Sequence, residues 1–198
     1  MTDIPAEALR HCDLLDRRTS RLVFVDVQEK LRAAMPDAPA LVAACRLLGD
    51  AARLFDVPVW ATEQYPKGLE PTVAELRPLC DDIRPKQRFS AAEALALPPA
   101  SEPNVDRDQI VLAGVETHVC VAQTALDLLS RGYRVWVVAD AVASRRTTDR
   151  HMALARLRDV GVTITTVEAV VFEWCETADD PQFRTLSALV KQRTVEEF

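Results

Sequence analysis

The amino-acid sequence predicts an α/β fold, a three-layer α/β/α sandwich whose central six-stranded sheet is mostly parallel. Short runs of β-branched and apolar residues alternate with longer segments of helical spacing, which is typical of βαβ units. Runs such as "RLVFVDVQ" at 21–28 are almost continuously apolar, as strands covered on both faces are. The 198 residues suit one domain over 1–198, with its core at about 20–190.

The first half of the chain contains three predicted strands and one long helix. The strand at 21–28 is followed by a helix at 38–55, whose apolar residues recur on one side at helical spacing. A second strand at 57–62 leads into the stretch 63–83, where prolines and a glycine predict a loop with one helical turn. A short third strand follows at 83–88.

The second half predicts three further strands joined by helices, and we expect the strand order 3-2-1-4-5-6. Gly132 ends the helix after the fourth strand and suits a C-terminal cap, because glycine adopts the left-handed conformation easily. The expected elements are, in order, a small Ala/Leu helix and polar linker within 89–108, a strand at 109–115, a helix ending at Gly132, a strand at 133–142, a helix at 148–159, a strand at 162–171 and an amphipathic helix at 180–193.

Composition and charge argue against several classes of protein. The formal net charge of −6 argues against a nucleic-acid surface, which normally shows a basic excess. No apolar run approaches the roughly 18 residues of a membrane span, and the N-terminal stretch contains no apolar signal segment. The five cysteines form no CxxC pair, which argues against a disulfide framework or a structural zinc site. We therefore expect a cytoplasmic protein that acts on a small-molecule substrate, without nucleic-acid or membrane partners.

Three reactive residues stand at or just after the carboxyl ends of predicted strands. Asp26 ends the first strand, Lys86 ends the third, and Cys120 follows the fourth. Parallel sheets bind ligands beyond these ends where the strand order reverses, and here that point lies between the first and fourth strands. The third strand lies about 10 Å from the first, a distance that a lysine side chain largely covers. The pattern therefore predicts that the three side chains share one crevice.

These residue types together suit nucleophilic catalysis. Cys120 lies where a helix begins, and the unpaired N–H groups and macrodipole at that point favour a thiolate. Lys86 adds positive charge, Asp26 accepts the thiol proton and passes it to a leaving group, and backbone N–H groups bind an oxyanion. Taken singly, each residue has a plainer interpretation: a buried small hydrophobe, a turn aspartate or a solvated lysine. The hypothesis of nucleophilic catalysis therefore depends on the three residues occurring together.

Three stretches resemble the sequence blocks of the isochorismatase-like cysteine hydrolases. They are "VFVDVQEKL", "RPKQRFSA" and "VLAGVETHVCVAQTALDLLSRGYRVWVVADAVASR", and the resemblance spans nearly the whole chain. It implies the isochorismatase-like fold, catalytic positions for Asp26, Lys86 and Cys120, and a cis peptide at Val115–Glu116 that shapes an oxyanion hole. Within the family, "ATEQYPKGLEPTVAEL" and "ETADDPQFRTLSALVK" resemble the branch of isochorismatase domain-containing protein 2 and its bacterial relatives.

Two features narrow the activity that the resemblance implies. Family members that cleave the vinyl ether of isochorismate characteristically lack the cysteine, so Cys120 indicates the branch that cleaves amides or related C–N bonds through a thioester. Nicotinamidases of the family carry metal-binding histidines in the loop after the second strand, whereas "TEQYPKG" has none, and we expect no metal and no other cofactor. Four polar residues on the site side of the sheet are candidate substrate-pocket residues, with a solvated loop as the alternative: Gln28, Glu63, Gln64 and Tyr65.

Several alternatives remain open at this level. A catalytically silent binding or scaffold protein has the same fold, and a vinyl-ether-cleaving isochorismatase is the alternative enzyme. Cys120 also suits a redox-sensing thiol, although no resolving cysteine lies near it in sequence. His118, Cys120 and His151 lack the usual spacing of metal ligands, so we expect His118 to pack near the helix start. The long last strand and the tail helix favour a homo-oligomer, a dimer or larger.

Overall fold

A parallel sheet forms the middle layer of the protein. The computed structural model describes residues 10–192. The strands are β1 (Ser20–Val25), β2 (Val59–Gln64), β3 (Asp82–Lys86), β4 (Gln109–Val115), β5 (Arg134–Ala143) and β6 (Thr163–Thr165). Their order is β3-β2-β1-β4-β5-β6 and every neighbouring pair is parallel, so the predicted topology is confirmed. The order reverses between β1 and β4, where ligands bind in sheets of this kind.

Helices cover both faces of the sheet. They are α1 (Glu29–Arg32), α2 (Ala38–Leu54), α3 (Pro66–Leu69), α4 (Ala122–Ser130), α5 (Thr147–Asp159), α6 (Val167–Cys175) and α7 (Phe183–Gln192), with a 3-10 turn at Arg77–Leu79 and a π turn at Thr117–Val121. Helices α2, α6 and α7 pack together on one face, and α4 and α5 pack on the other. Within the described residues, no helix is both long enough and apolar enough to cross a membrane.

The alternation of side chains along β1 explains its continuous apolar run. Leu22 and Phe24 belong to the apolar cluster under α2, whereas Val23 and Val25 belong to the cluster under α4. Both faces of the strand are therefore buried, as expected for a parallel sheet between two helical layers. Cys120 belongs to the cluster under α4.

The predicted sixth strand at 162–171 is wrong beyond its first residues. The strand β6 ends at Thr165, and α6 begins at Val167. Thr166 caps the helix, because its hydroxyl accepts the N–H of Ala169 at 3.4 Å. The buried residues of α6 recur at helical spacing, although their β-branched and aromatic character favours a strand in the sequence: Val167, Val170, Val171, Trp174 and Cys175.

The small helix predicted within 89–108 is also wrong. Residues 91–96 form turns, with one helix-like bond from the N–H of Leu95 to the carbonyl of Ala91 at 2.9 Å. Ala96 then has a φ of 49°, which ends the helical path. The tail helix predicted at 180–193 is α7, and residue 193 lies outside the described residues. The other predicted strands and helices are confirmed with small shifts at their ends.

A glycine allows β1 and β4 to approach closely at their carboxyl ends. Gly114 pairs with Val25 and has a φ of +122°, in the region that favours glycine. A Cβ atom at Gly114 would lie 2.1 Å from the carbonyl oxygen of Val25, which no side chain tolerates. This approach brings Asp26, the next residue after β1, beside the segment that follows β4.

Candidate active site

Asp26 follows β1 directly, and its side chain is fully buried. Its φ of 53° turns the chain at the end of the strand, while its N–H donates to the carbonyl of Thr62 at 3.1 Å. The carboxylate has two partners: the Thr62 hydroxyl donates to Oδ1 at 2.8 Å, and Lys86 Nζ lies 2.7 Å from Oδ2. A charge taken out of water needs such partners, because burial alone disfavours it strongly.

Lys86 is the last residue of β3 and reaches across β2 to Asp26, as the sequence predicts. Its side chain is only 2% exposed. The ammonium also donates to Gln64 Oε1 at 2.8 Å, and to the carbonyl oxygens of Arg88 at 3.1 Å and Phe89 at 2.8 Å. These contacts fix the position of the cation beside the carboxylate and replace the water that it loses.

Cys120 lies in the π turn between β4 and α4 and is 6% exposed. Burial raises the pKa of its thiol to about 12, and the charge of Asp26 and its hydrogen bond to the thiol add to the rise. Lys86 and the backbone N–H of Glu116 act in the opposite direction. The raised pKa opposes the thiolate that the start of the helix favours, because desolvation and the charge of Asp26 outweigh the effect of the helix start. These contributions favour the protonated form of the Cys120 thiol.

The backbone on both sides of Cys120 is fixed by local contacts. The carbonyl oxygen of Cys120 accepts the Thr124 hydroxyl at 2.6 Å, and that hydroxyl oxygen accepts the N–H of Ala91 at 2.8 Å. On the other side, the Val115–Glu116 peptide bond is cis, at the position where the family resemblance implies one. The structure thus brings Asp26, Lys86 and Cys120 into one buried cluster at the switch point of the sheet.

The side chain of Glu116 is bound by Arg145, the second residue after β5. The Arg145 N–H donates to Oε2 at 3.0 Å, and Arg145 Nε lies 3.2 Å from Oε1 and 3.1 Å from Oε2. Burial opposes ionisation of this carboxyl, but the hydrogen bonds and charge of Arg145 prevail and lower the pKa of Glu116. The carboxylate next to the candidate nucleophile is therefore held in its charged form.

His118 packs near the start of the helix, as expected. Its Nδ1 atom lies 3.0 Å from the hydroxyl of Ser144, and its Nε2 atom lies 3.9 Å from a carboxylate oxygen of Asp149. Within residues 10–192, the side chains grouped closely enough to hold a metal ion are the exposed residues 11–13. The H-x-C pair is not part of that group.

Two of the candidate pocket residues hold the loop after β2. The Gln28 amide donates to the carbonyl oxygens of Gln64 at 3.1 Å and Glu70 at 2.6 Å, and its Oε1 accepts the N–H of Gln64 at 2.8 Å. Glu63 accepts both the N–H and the hydroxyl of Thr72, at 2.7 and 2.9 Å. The Gln28 amide group and Glu63 Oε1 are thus engaged with the protein itself.

The other two candidate pocket residues lie next to Lys86. Gln64 accepts from the Lys86 ammonium, and its amide donates to the carbonyl of Gln87 at 2.7 Å. Tyr65 donates its N–H to the carbonyl of Lys86 at 3.0 Å, and its side chain is 51% exposed. Phe89, whose carbonyl accepts from the same ammonium, is 55% exposed. Two exposed aromatic residues therefore flank the buried lysine.

Sequence reasoning misses two partners in this site, Thr62 and Arg145. Thr62 on β2 pairs with Val25 on β1, the residue before Asp26. The sequence signal for Thr62 is its position as a polar residue at the end of the run "VPVWAT". Arg145 lies in the stretch that carries the family resemblance, but no spacing in the sequence connects it to Glu116. Only the pairing of β4 with β5 brings the two together.

Comparison with known proteins shows relatives that match this chain over most of its length. Mouse isochorismatase domain-containing protein 2A is 38% identical over 174 residues, which cover 88% of this chain and 84% of the mouse protein. A solved structure of MAR1 ribonuclease from Caenorhabditis elegans has a TM-score of 0.83 at 36% identity, covering 92% of this chain and 95% of that chain. YcaC from Pseudomonas aeruginosa, solved with hexane-2,5-diol and covalent acrylamide, has a TM-score of 0.78 at 25% identity, covering 92% and 96%.

The family match covers most of the chain and all three members of the buried cluster. The sequence profile of the isochorismatase domain matches residues 20–169, which include Asp26, Lys86 and Cys120. The match to the mouse relative confirms the resemblance to the branch of isochorismatase domain-containing protein 2. The chain therefore belongs to the isochorismatase family of hydrolases.

Proposed function

We propose that this protein is a cysteine-dependent hydrolase that cleaves a small amide or a related C–N bond through a thioester. The observation that carries the proposal is the buried ion pair beside the cysteine. Asp26 pairs with the Lys86 ammonium at 2.7 Å, and its charge raises the pKa of the Cys120 thiol. A thiol, a base that contacts it and a cation that holds the base are the parts that nucleophilic catalysis requires.

The first half of the reaction forms the thioester. As the Cys120 sulfur attacks the carbonyl carbon, the thiol proton passes to Asp26, so that the weakly acidic thiol never has to ionise in a separate step. The carbonyl oxygen becomes an oxyanion that accepts from backbone N–H groups between Glu116 and Cys120. Protonated Asp26 then gives the proton to the departing nitrogen, the C–N bond breaks, and the amine leaves.

The second half of the reaction restores the enzyme. Asp26, again a carboxylate, takes a proton from a water molecule whose oxygen attacks the thioester carbon. The C–S bond breaks, the proton returns to the Cys120 sulfur, and a carboxylic acid leaves. Lys86 keeps Asp26 in place throughout and stabilises its negative form, which is the form that starts each half-reaction.

Two observations beyond the geometry support this assignment. The YcaC structure from Pseudomonas aeruginosa holds covalent acrylamide, a small electrophile that contains an amide. A protein with a similar fold therefore bonds covalently to a molecule of this size and type. The formal net charge of −6 favours a small substrate over a nucleic acid. A vinyl-ether substrate is the alternative for the enzyme, and a silent binding protein is the alternative from another class.

A panel of small primary amides, ureides and isochorismate tests the proposal. Release of ammonia or amine from the amides and ureides, and of pyruvate from isochorismate, is measured with wild type, Cys120→Ala and the control Cys45→Ala, which removes a buried thiol from the other face of the sheet. We expect turnover of an amide or ureide that Cys45→Ala retains and Cys120→Ala loses by about 10⁴-fold or more. Turnover that survives in Cys120→Ala contradicts the nucleophile. Cleavage of isochorismate alone supports the vinyl-ether alternative, and no Cys120-dependent product supports the binding protein.

We also propose that the protein assembles as a homo-oligomer, a dimer or larger. The support is the exposure of Tyr65 at 51% and Phe89 at 55%, two aromatic side chains whose backbones bond directly to Lys86. Large exposed aromatic groups next to a buried charge are suited to cover by a second chain, since aromatic residues are enriched in the buried parts of interfaces.

A further inference from the structure

We propose that Arg145 is a positioning residue for the Cys120 site and that it acts through Glu116. The inference rests on the proposed function only in taking Cys120 as the reacting group. Arg145 is remote from Cys120 in sequence and follows a different strand, so it belongs to the site only through the fold.

Glu116 is the residue through which the turn around Cys120 is held. Its backbone N–H acts to lower the pKa of the Cys120 thiol. Its carbonyl oxygen accepts the N–H groups of Val119 at 3.1 Å and Val121 at 3.2 Å, which lie on either side of Cys120 in the π turn. A rotation of Glu116 therefore moves this N–H and the acceptor of the turn together.

Arg145 fixes the orientation of Glu116 from the neighbouring strand. The last residue of β5, Ala143, pairs with Val115, so the residues that follow the two strands lie side by side and Arg145 comes within hydrogen-bonding distance of Glu116. Both the backbone N–H and the Nε of Arg145 bond to the carboxylate, so the clamp includes main chain as well as a side chain. Glu116 is 8% exposed, and a nearly buried carboxylate held by several donors has little freedom to turn.

A hollow of about 400 Å³ lies beside the site and is lined by charged and titratable side chains: Glu116, His118, Arg145, Arg146 and Asp149. Among these, Arg145 makes the hydrogen bonds to the Glu116 carboxylate, while His118 lies near Asp149. Asp26, Lys86 and the N–H of Glu116 affect the pKa of the Cys120 thiol, whereas the hydrogen bonds of Arg145 are made to Glu116. We therefore expect an effect of Arg145 on the sulfur to pass through Glu116.

The test uses iodoacetamide as the probe and the alkylation rate of Cys120 as the readout. The rate is followed by peptide mass spectrometry between pH 7 and 10 in wild type, Arg145→Met, Arg145→Lys and Glu116→Gln. Arg146→Met is the matched control, because it makes the same change at the adjacent arginine of the same hollow. We expect Arg145→Met to slow alkylation by about three- to tenfold across this pH range, the value of one hydrogen bond to the sulfur.

The remaining variants separate positioning from general damage. Arg145→Lys keeps a cation and restores most of the rate, Glu116→Gln slows alkylation, and Arg146→Met leaves it unchanged. The double variant Glu116→Gln/Arg145→Met is no slower than the slower single variant, because both act on one contact. A wild-type or faster rate in Arg145→Met, or additive effects in the double variant, overturns the proposal. If Arg145→Met fails to fold, the rates of Arg145→Lys and Glu116→Gln decide it in the same way.

This experiment needs no substrate, so its outcome is separate from that of the amide panel. If Arg145 controls alkylation while amide turnover does not require Cys120, the positioning holds and the proposed function fails. If turnover requires Cys120 while alkylation ignores Arg145, the proposed function holds and the positioning fails.

Discussion

The carboxylate of Asp26 faces a cation and a thiol at the same time, and this sets the chemistry of the site. The ion pair with Lys86 holds the carboxylate in a fully buried position, while the charge of the carboxylate raises the pKa of the Cys120 thiol. The site therefore favours the protonated form of Cys120 at rest. It avoids the cost of a buried thiolate, and proton transfer accompanies the attack on the substrate.

Because Asp26 raises the pKa of the Cys120 thiol and Lys86 lowers it, substitutions of these two residues should shift that pKa in opposite directions. Asp26→Asn removes a charge that raises the pKa of Cys120, so the pKa falls and alkylation by iodoacetamide at pH 9 becomes several-fold faster. Lys86→Met removes a charge that lowers the same pKa, so alkylation becomes slower. Turnover should nevertheless fall by about 100-fold or more in Asp26→Asn, because the base is lost. Slower alkylation in Asp26→Asn is incompatible with the coupling described here.

The Asp26–Lys86 pair also predicts a stability effect. Lys86→Met leaves a buried carboxylate without its cation, which we expect to cost about 3–5 kcal/mol in the free energy of unfolding by urea. The double variant Asp26→Asn/Lys86→Met should recover part of this loss. The control is Lys30→Met, whose lysine is 55% exposed and pairs with Glu70 at 3.5 Å, with an expected cost below about 1 kcal/mol. Equal losses at the two lysines would argue against a structural ion pair.

At the scale of elements, the site depends on the close approach of β1 and β4 and on the π turn that follows β4. The turn places Cys120 within hydrogen-bonding reach of Asp26, and the Thr124 hydroxyl on α4 holds it from behind. On the other side, β5 supplies Arg145 to the residue that begins the turn. Three consecutive neighbours in the sheet therefore contribute to the position of one sulfur atom.

The approach of β1 and β4 predicts different costs for the same substitution at two glycines. Gly114→Ala places a Cβ atom 2.1 Å from the Val25 carbonyl oxygen, whereas Gly161→Ala at a φ of +95° meets no atom within 4 Å. In both variants an alanine must adopt a positive φ, which costs about 1 kcal/mol in stability. Only Gly114→Ala also introduces a steric clash. We expect Gly114→Ala to lose about 1–3 kcal/mol more in urea unfolding. Similar losses in the two variants would mean that the strands separate without cost.

How well each element is predicted depends on whether it follows from a local sequence pattern or from contacts made only in the folded chain. The strands at the centre of the sheet are continuous apolar runs, and their order follows from the βαβ pattern, so Asp26, Lys86 and Cys120 are brought together correctly from sequence. The helix α6 is misread because valines favour a strand, and its cap at Thr166 is a local contact that residue type alone does not reveal. The clamp between Glu116 and Arg145 depends on the pairing of β4 with β5, which no local pattern encodes.

At the scale of the whole molecule, the winding of the sheet concentrates the reactive groups at one point. The strands β2 and β3 extend to one side of β1, and β5 and β6 to the other side of β4, so loops from both halves meet over the same edge. Lys86 comes from one side and Cys120 from the other, and both converge on Asp26. Tyr65 and Phe89 leave apolar surface exposed at the same edge.

This exposed surface predicts the size of the protein in solution. We expect sedimentation velocity at micromolar concentration to give at least twice the chain mass of 22.0 kDa, with Phe89→Ser shifting the distribution towards the monomer. The exposed Met152, at 65%, provides the control Met152→Ser on α5. A wild-type species of 22.0 kDa at all concentrations would refute the oligomer.

The most direct test of the account is the detection of the covalent intermediate at Cys120. Wild-type protein is mixed with an amide that it hydrolyses, quenched in acid within milliseconds to seconds, and examined by intact and peptide mass spectrometry beside Cys45→Ala and Cys120→Ala. The thioester mechanism predicts an acyl adduct on the Cys120 peptide of wild type and Cys45→Ala, sensitive to hydroxylamine as a thioester is, and absent in Cys120→Ala. Turnover of the amide by Cys120→Ala, or an adduct on another residue in wild type, would contradict it.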